Sequence, residues 1–118
     1  MSIESLQLAL REFAQAREWD RFHSPKNLAM ALAGETGELL ELFQWLSEEE
    51  SQVANLTAAT HERVKDELAD VLLYLVRLAD KLHIDLEQAA AGKLAANAEK
   101  YPVALSKGNA VKYNRRNE

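Results

Sequence analysis

No cysteine occurs in this chain of 118 residues, so neither a disulfide framework nor a thiolate metal site is open to it. Proline occurs twice and glycine four times, which leaves long stretches free of the strongest breakers of regular structure. No apolar run approaches the roughly 18 residues that cross a bilayer, so no membrane partner is expected. A basic stripe is missing as well. The net charge is −5, and it is unevenly spread: the segment 100–118 holds five basic residues and one acid, the preceding 99 residues nine and 18. That balance disfavours duplex nucleic acid as a partner, while a small anionic ligand remains open if metal ions neutralise it.

What is present is apolar and helical. Hydrophobic residues make up 47% and charged residues 28%, a globular composition for one domain spanning 1–118. The opening MSIESLQLALREF is amphipathic and carries an early acid, unlike a signal peptide, so the cytoplasm is the expected compartment. A first helix is predicted from about Ile3 to Trp19, with Leu6, Leu10 and Phe13 on one stripe. Ser24-Pro25 reads as an N-cap and first helical residue, opening a second helix to about Leu46. After the polar stretch SEEESQVANLT, Thr57 or Thr60 caps a third helix to about His83, and Asp85 caps a fourth, Leu86 to Lys100, which Tyr101-Pro102 ends. The tail VALSKGNAVKYNRRNE has no clear period and is expected to be partly mobile unless it folds over a ligand. Strand signals are nearly absent. The expected fold is all-α, a bundle of four to five helices completed by oligomerisation, because Leu68 to Ala79 is apolar on more than one face.

Two acidic pairs stand out in this pattern: Glu35 and Glu38 in GETGELLE, and Glu67 and Asp70 in DELADVLLYL. Spacing of i, i+3 leaves two helical side chains about 60° apart, within reach of one cation. Such a pair is usually a solvated face. Here the first is bracketed by LAMALA and LLELFQWL and the second runs into VLLYLV, where bare carboxylates are costly to desolvate. A shared cation is the economical reading, and an all-oxygen donor set favours Mg²⁺, with Mn²⁺ as a substitute, over zinc. None of His23, His61 and His83 completes the Glu-x-x-His pattern of a di-iron bundle, and the Asp20–His23 and Asp80–His83 spacings read as coincidence. Gly34 and Gly37 inside the second helix call for a packing or ligand reason.

Around the pairs lie aromatic residues whose ordinary role is core packing. Trp45, seven residues after Glu38, and Tyr74, seven after Glu67, would fall two turns along the same faces, where a ring could stack on a base. Lys93 and Asn97 share a face at i, i+4, either solvated or touching phosphate and sugar.

Three stretches, REWDRFHSPKNLAMALAGETGELLELFQWLSEEE, DELADVLLYLVRLADKLHIDL and KLAANAEKYPVALSKGNAVKY, resemble the all-α nucleoside triphosphate pyrophosphatases, the MazG-like proteins, and within them the dCTP pyrophosphatase branch. The acidic pairs mark the superfamily; the W-x-x-F-H segment, FQW, the KxxxN helix leading into KYPV and the SKG-x-A-x-K-Y tail mark the branch. The resemblance implies metal-dependent hydrolysis between the α- and β-phosphates of a nucleoside triphosphate in an assembly such as a dimer of dimers. It makes Glu35, Glu38, Glu67 and Asp70 the catalytic metal ligands and places Trp19, His23, Trp45 and Tyr74 around the nucleoside. Lys93, Asn97, Tyr101 and Lys112 fall to the rest of the substrate. Some members of the branch carry a histidine where this chain has Leu10, which bears on base discrimination. Glu38 or Glu41 is the expected partner of the attacking water. A broader dNTP or dUTP pyrophosphatase, and a non-enzymatic helical module with a structural cation, are the alternatives.

Overall fold

Each long helix begins on a side chain that satisfies a free backbone N–H. The structure, a computed structural model, describes residues 1–116. Helix α1 (Ile3–Ala16) opens with a reciprocal cap: Ser2 Oγ accepts from the Ser5 N–H at 3.0 Å, and Ser5 Oγ accepts from the Ser2 N–H at 2.8 Å. Helix α2 (Pro25–Phe43) has Ser24 as its N-cap and Pro25 at its first position, and α3 (Ala58–Lys81) is capped by Thr57. Helix α4 (Leu86–Lys100) starts at Asp85, as its sequence predicts, and α5 (Val103–Ser106) follows Pro102. No strand occurs among the described residues, and the chain is all-α.

Two helices stop by the same device. Helix α1 ends at Ala16, short of the predicted Trp19, because Glu18 adopts φ of +55°. The Trp19 N–H then donates to Ala14 O at 2.9 Å and the Glu18 N–H to Gln15 O at 3.1 Å, a Schellman closure with glutamate in the left-handed position. His83, with φ of +56°, repeats it at the end of α3, where the Ile84 N–H reaches Ala79 O at 2.9 Å. Neither residue is a glycine, so neither stop is legible as a C-cap.

The chain falls into two compact units, the first Met1–Ile84 and the second from Asp85 onward. In the first, α3 packs along α2 and against α1. Its core is small: Ala14, Leu28, Val76 and Ala79. Phe13, on the stripe of Leu6 and Leu10, is exposed and meets Trp19 edge to face at 5.7 Å. Val76 and Ala79 turn inward while Leu68, Leu72 and Leu75, at i, i+4 and i+7, form an exposed apolar stripe. At Gly34 and Gly37 an added Cβ would meet nothing within 4 Å, so no packing contact among the described residues explains either glycine.

Charge is buried beside this core. Arg77 and Asp80 on α3 are 4% and 6% exposed. Asp80 accepts from Arg11 Nε at 2.7 Å, Arg11 Nη2 at 2.6 Å and Gln7 Nε2 at 2.6 Å, tying α1 to α3. Arg77 donates to Asp20 at 2.7 Å and Asp80 at 3.4 Å, and Lys81 reaches the same Asp20 oxygen at 2.9 Å.

In the second unit the described part of the tail packs on the end of α4, while residues 117–118 lie outside the described residues. Tyr113 opens a short 3-10 turn, Tyr113–Arg115, and packs edge to face on Tyr101 at 6.0 Å. Lys100 Nζ lies 5.0 Å from the Tyr113 ring and the Arg116 guanidinium 5.5 Å from the Tyr101 ring, so cation–π contacts fasten the tail to the end of α4.

Candidate metal centre

Packing α2 on α3 brings the two acidic pairs together. Glu35, Glu38 and Glu67 each offer an oxygen within 4.8 Å of the others, with Glu35 and Glu67 half-buried and Glu38 exposed. Asp70 is outside this tight group but close enough for its charge to act on both Glu35 and Glu67. Glu41, next in the series on α2, is exposed and also outside it.

The electrostatics are those of an uncompensated site. The Glu35 carboxyl is pushed up to about 7, chiefly by its hydrogen bond with Glu67, then by burial and the nearby Glu38 and Asp70. Glu67 is also raised, first by burial and then by the Glu38 and Asp70 charges, against an opposing pull from its hydrogen bond with Glu35. Oε2 of Glu35 and Oε2 of Glu67 are both shielded from solvent with no donor to take them. Two facing carboxylates call for a shared proton, a donor or a cation between them, and an all-oxygen set with two unclaimed buried oxygens fits a hard divalent ion.

The remaining sequence candidates are dispersed. Tyr74 is half-buried on α3, on the stripe of Glu67 and Asp70. Trp19 is 44% exposed and lies edge to face with His23 at 6.4 Å between ring centres. Trp45 is not on a helical face with Glu38, as predicted, because α2 ends at Phe43; it sits in the following turn, 87% exposed. Lys93 and Asn97 are exposed on α4, Tyr101 is its C-cap and Lys112 precedes the terminal 3-10 turn, all in the second unit. Sequence reasoning missed Arg77 and Asp80. Their signal was two opposite charges at i, i+3 inside an apolar run, and the Asp20–His23 spacing read as coincidence belongs with them, since both side chains accept from Arg77.

The MazG-like family model matches residues 31–115, a span that holds both acidic pairs and runs through both units. The chain belongs to the MazG-like family. Among the relatives of this MazG-like chain, dCTP pyrophosphatase 1 of Mus musculus is 46% identical over 112 residues, and that of Homo sapiens 39% over 112 residues. These alignments cover 95% of the chain, which spans 66% of the length of those curated relatives. The crystal structure of a pyrophosphatase from Archaeoglobus fulgidus superposes with a TM-score of 0.72 at 41% identity, covering 84% of this chain and 91% of that one. The all-α architecture is therefore the MazG-like one.

Proposed function

We propose that the chain is a divalent-metal-dependent nucleotide pyrophosphohydrolase that converts dCTP, or a 5-substituted dCTP, to dCMP and pyrophosphate. The observation that carries this reading is the group of Glu35, Glu38 and Glu67 with its two shielded, unclaimed oxygens, in a chain whose relatives are named dCTP pyrophosphatases. Glu35, Glu38 and Glu67 would hold Mg²⁺, with Asp70 completing the set and Mn²⁺ as a substitute. Bound there, the ion supplies charge neutralisation for the phosphates and Lewis acidity at the reacting phosphoryl group. The chain's own part is positional. Glu35 and Glu67 are fixed by the packing of α2 on α3. Glu38 and Glu41, both exposed one turn apart on α2, are the carboxylates open to the attacking water, and one of them takes its proton. Trp19, His23, Trp45 and Tyr74 are the proposed nucleoside contacts, and Lys93, Asn97, Tyr101 and Lys112, in the second unit, the proposed phosphate-side contacts.

The family match across both units supports reading 1–118 as one functional domain. Among the described residues no helix is long and apolar enough to cross a membrane. We infer a cytoplasmic role without duplex DNA or RNA as partner from the acidic balance of the chain. The stripe of Leu68, Leu72 and Leu75 supports association into a dimer of dimers. Leu72→Glu should lower the mass measured by light scattering, whereas Val76→Glu, in the core, should unfold the chain. A stable, active monomer of the unaltered protein would refute the association. The function is tested by incubating dNTPs, 5-substituted dCTPs and NTPs with Mg²⁺ and identifying products. Pyrophosphate with dCMP is expected; orthophosphate with dCDP would exclude this reaction class, turnover spread evenly over dNTPs would favour the broader enzyme, and no turnover would leave the structural-cation module.

A further inference from the structure

Arg77 stands ten residues after Glu67 and seven after Asp70, so Glu67, Asp70, Tyr74 and Arg77 share one stripe of α3. Its Cα lies about 15 Å along the helix axis from that of Glu67. If phosphates are held at the carboxylates, that separation puts Arg77 near the nucleoside end of the same stripe.

There Arg77 makes a contact that the ionic network does not require: its Nε donates to Nδ1 of His23 at 3.2 Å. A guanidinium has donors only, so the nitrogen it meets must present a lone pair, and the ring proton of neutral His23 must then sit on Nε2. Burial first, and the Arg77 charge second, hold the His23 pKa below its ordinary value, against a smaller opposing pull from Asp20. Among the described residues no protein group accepts from Nε2, and the half-buried ring stands beside the exposed indole of Trp19. The result is a fixed N–H donor next to a flat apolar surface.

We propose that Arg77 is a positioning residue that locks His23 as an Nε2–H donor, and that this donor selects a pyrimidine whose ring nitrogen accepts, cytosine N3, over uracil or thymine, whose N3 carries hydrogen. This rests on the nucleotide reading above. Cytosine N3 receives the bond; uracil N3–H would leave two donors facing each other, and such a mismatch discriminates by roughly 10- to 100-fold.

Loss of Arg77 also removes one charged partner from each of Asp80 and Asp20, so lowered activity in an Arg77 variant would not by itself separate positioning from structure. The first measurement therefore uses the unaltered chain. ¹⁵N imidazole shifts of histidine-labelled protein, with the His23 signals assigned by their loss in His23→Asn, should show the Nε2–H tautomer at neutral pH; an Nδ1–H or doubly protonated ring overturns the lock. The second compares two substitutions. His23→Asn keeps an oxygen for Arg77 but loses the distal donor, whereas His23→Gln carries an amide N–H near the Nε2 position. The ratio of kcat/KM for dCTP over dUTP should fall 10- to 100-fold in the asparagine variant and be largely kept in the glutamine variant; an unchanged ratio in the asparagine variant overturns the selectivity. If the unaltered chain turns over no nucleotide, the function and the selectivity fall together, and the tautomer still stands or falls on the spectrum.

Discussion

Glu67 and Asp80 are both carboxylates on α3, and the chain treats them in opposite ways. Asp80 is met by Arg11, Gln7 and Arg77, so its charge is matched from within, and its pKa lies below the ordinary carboxylate value chiefly because Arg11 donates to it. Glu67 stands beside Glu35 and Glu38, and it is driven the other way, first by burial and then by the Glu38 and Asp70 charges. Buried charge that the chain neutralises is architecture. Buried charge that it concentrates without a counter-ion is a demand on something outside the chain.

Four changes test that contrast, and the largest effect is expected where the demand is unmet. Glu35→Gln, Glu38→Gln, Glu67→Gln and Asp70→Asn should each lower turnover on the order of 100-fold or more, since each removes an anionic ligand and little volume. Circular dichroism should show helix content intact, and melting of the metal-free Glu35 and Glu67 variants should occur no lower than in the parent, because like-charge repulsion is relieved. Full activity of any two at limiting Mg²⁺ would break the assignment.

The matched site should respond in the opposite sense. Asp80→Asn leaves the buried Arg77 without its intrahelical partner, and a destabilisation of about 3 kcal/mol is expected from the urea midpoint. A variant as stable as the parent would show that Asp20 alone suffices for Arg77.

Acid sharpens the comparison further, because the two sites titrate with opposite sign. Asp80 has a depressed folded pKa, so its stabilising contribution is present above the unfolded carboxylate value near 3.8 and is lost as pH falls through the lower folded value. Glu35 has a folded pKa raised from 4.5 to about 7, so its contribution is full below 4.5 and is lost as pH rises through 7. With metal chelated, the melting temperature should therefore rise as pH drops from 8 to about 5 and fall below about 4. Glu35→Gln should flatten the first limb and Asp80→Asn the second, both read by calorimetry.

The smallest effect belongs to the helix end that brings Trp19 back toward α1. Glu18 sits at φ of +55° without the freedom of glycine, so Glu18→Gly should stabilise by a few tenths to about 1 kcal/mol in thermal denaturation. A loss of stability would mean that the Glu18 side chain contributes more than its backbone costs.

The sites differ as much in legibility as in chemistry. Glu35, Glu38, Glu67 and Asp70 were visible because i, i+3 spacing within apolar sequence is a local pattern, and the caps Ser24, Thr57 and Asp85 were visible for the same reason. Trp45 was misplaced because the pattern does not reveal that α2 stops at Phe43. The Arg77 network was invisible as a network. Its members come from α1, the turn Asp20–Phe22 and α3, and separations of 54 to 73 residues carry no periodic signal.

By itself, then, the sequence determined the helices, their starts, the oxygen-only donor set and the MazG-like resemblance, since each depends on side chains within a few residues of one another. Tertiary structure alone decided which of those acids would face each other without a counter-ion and which would be neutralised. It also left Leu72 exposed while burying Val76, and it chose the nitrogen of His23 that meets Arg77. These outcomes depend on which groups packing brings within a few ångströms, where burial and Coulomb interactions become strong enough to move a proton.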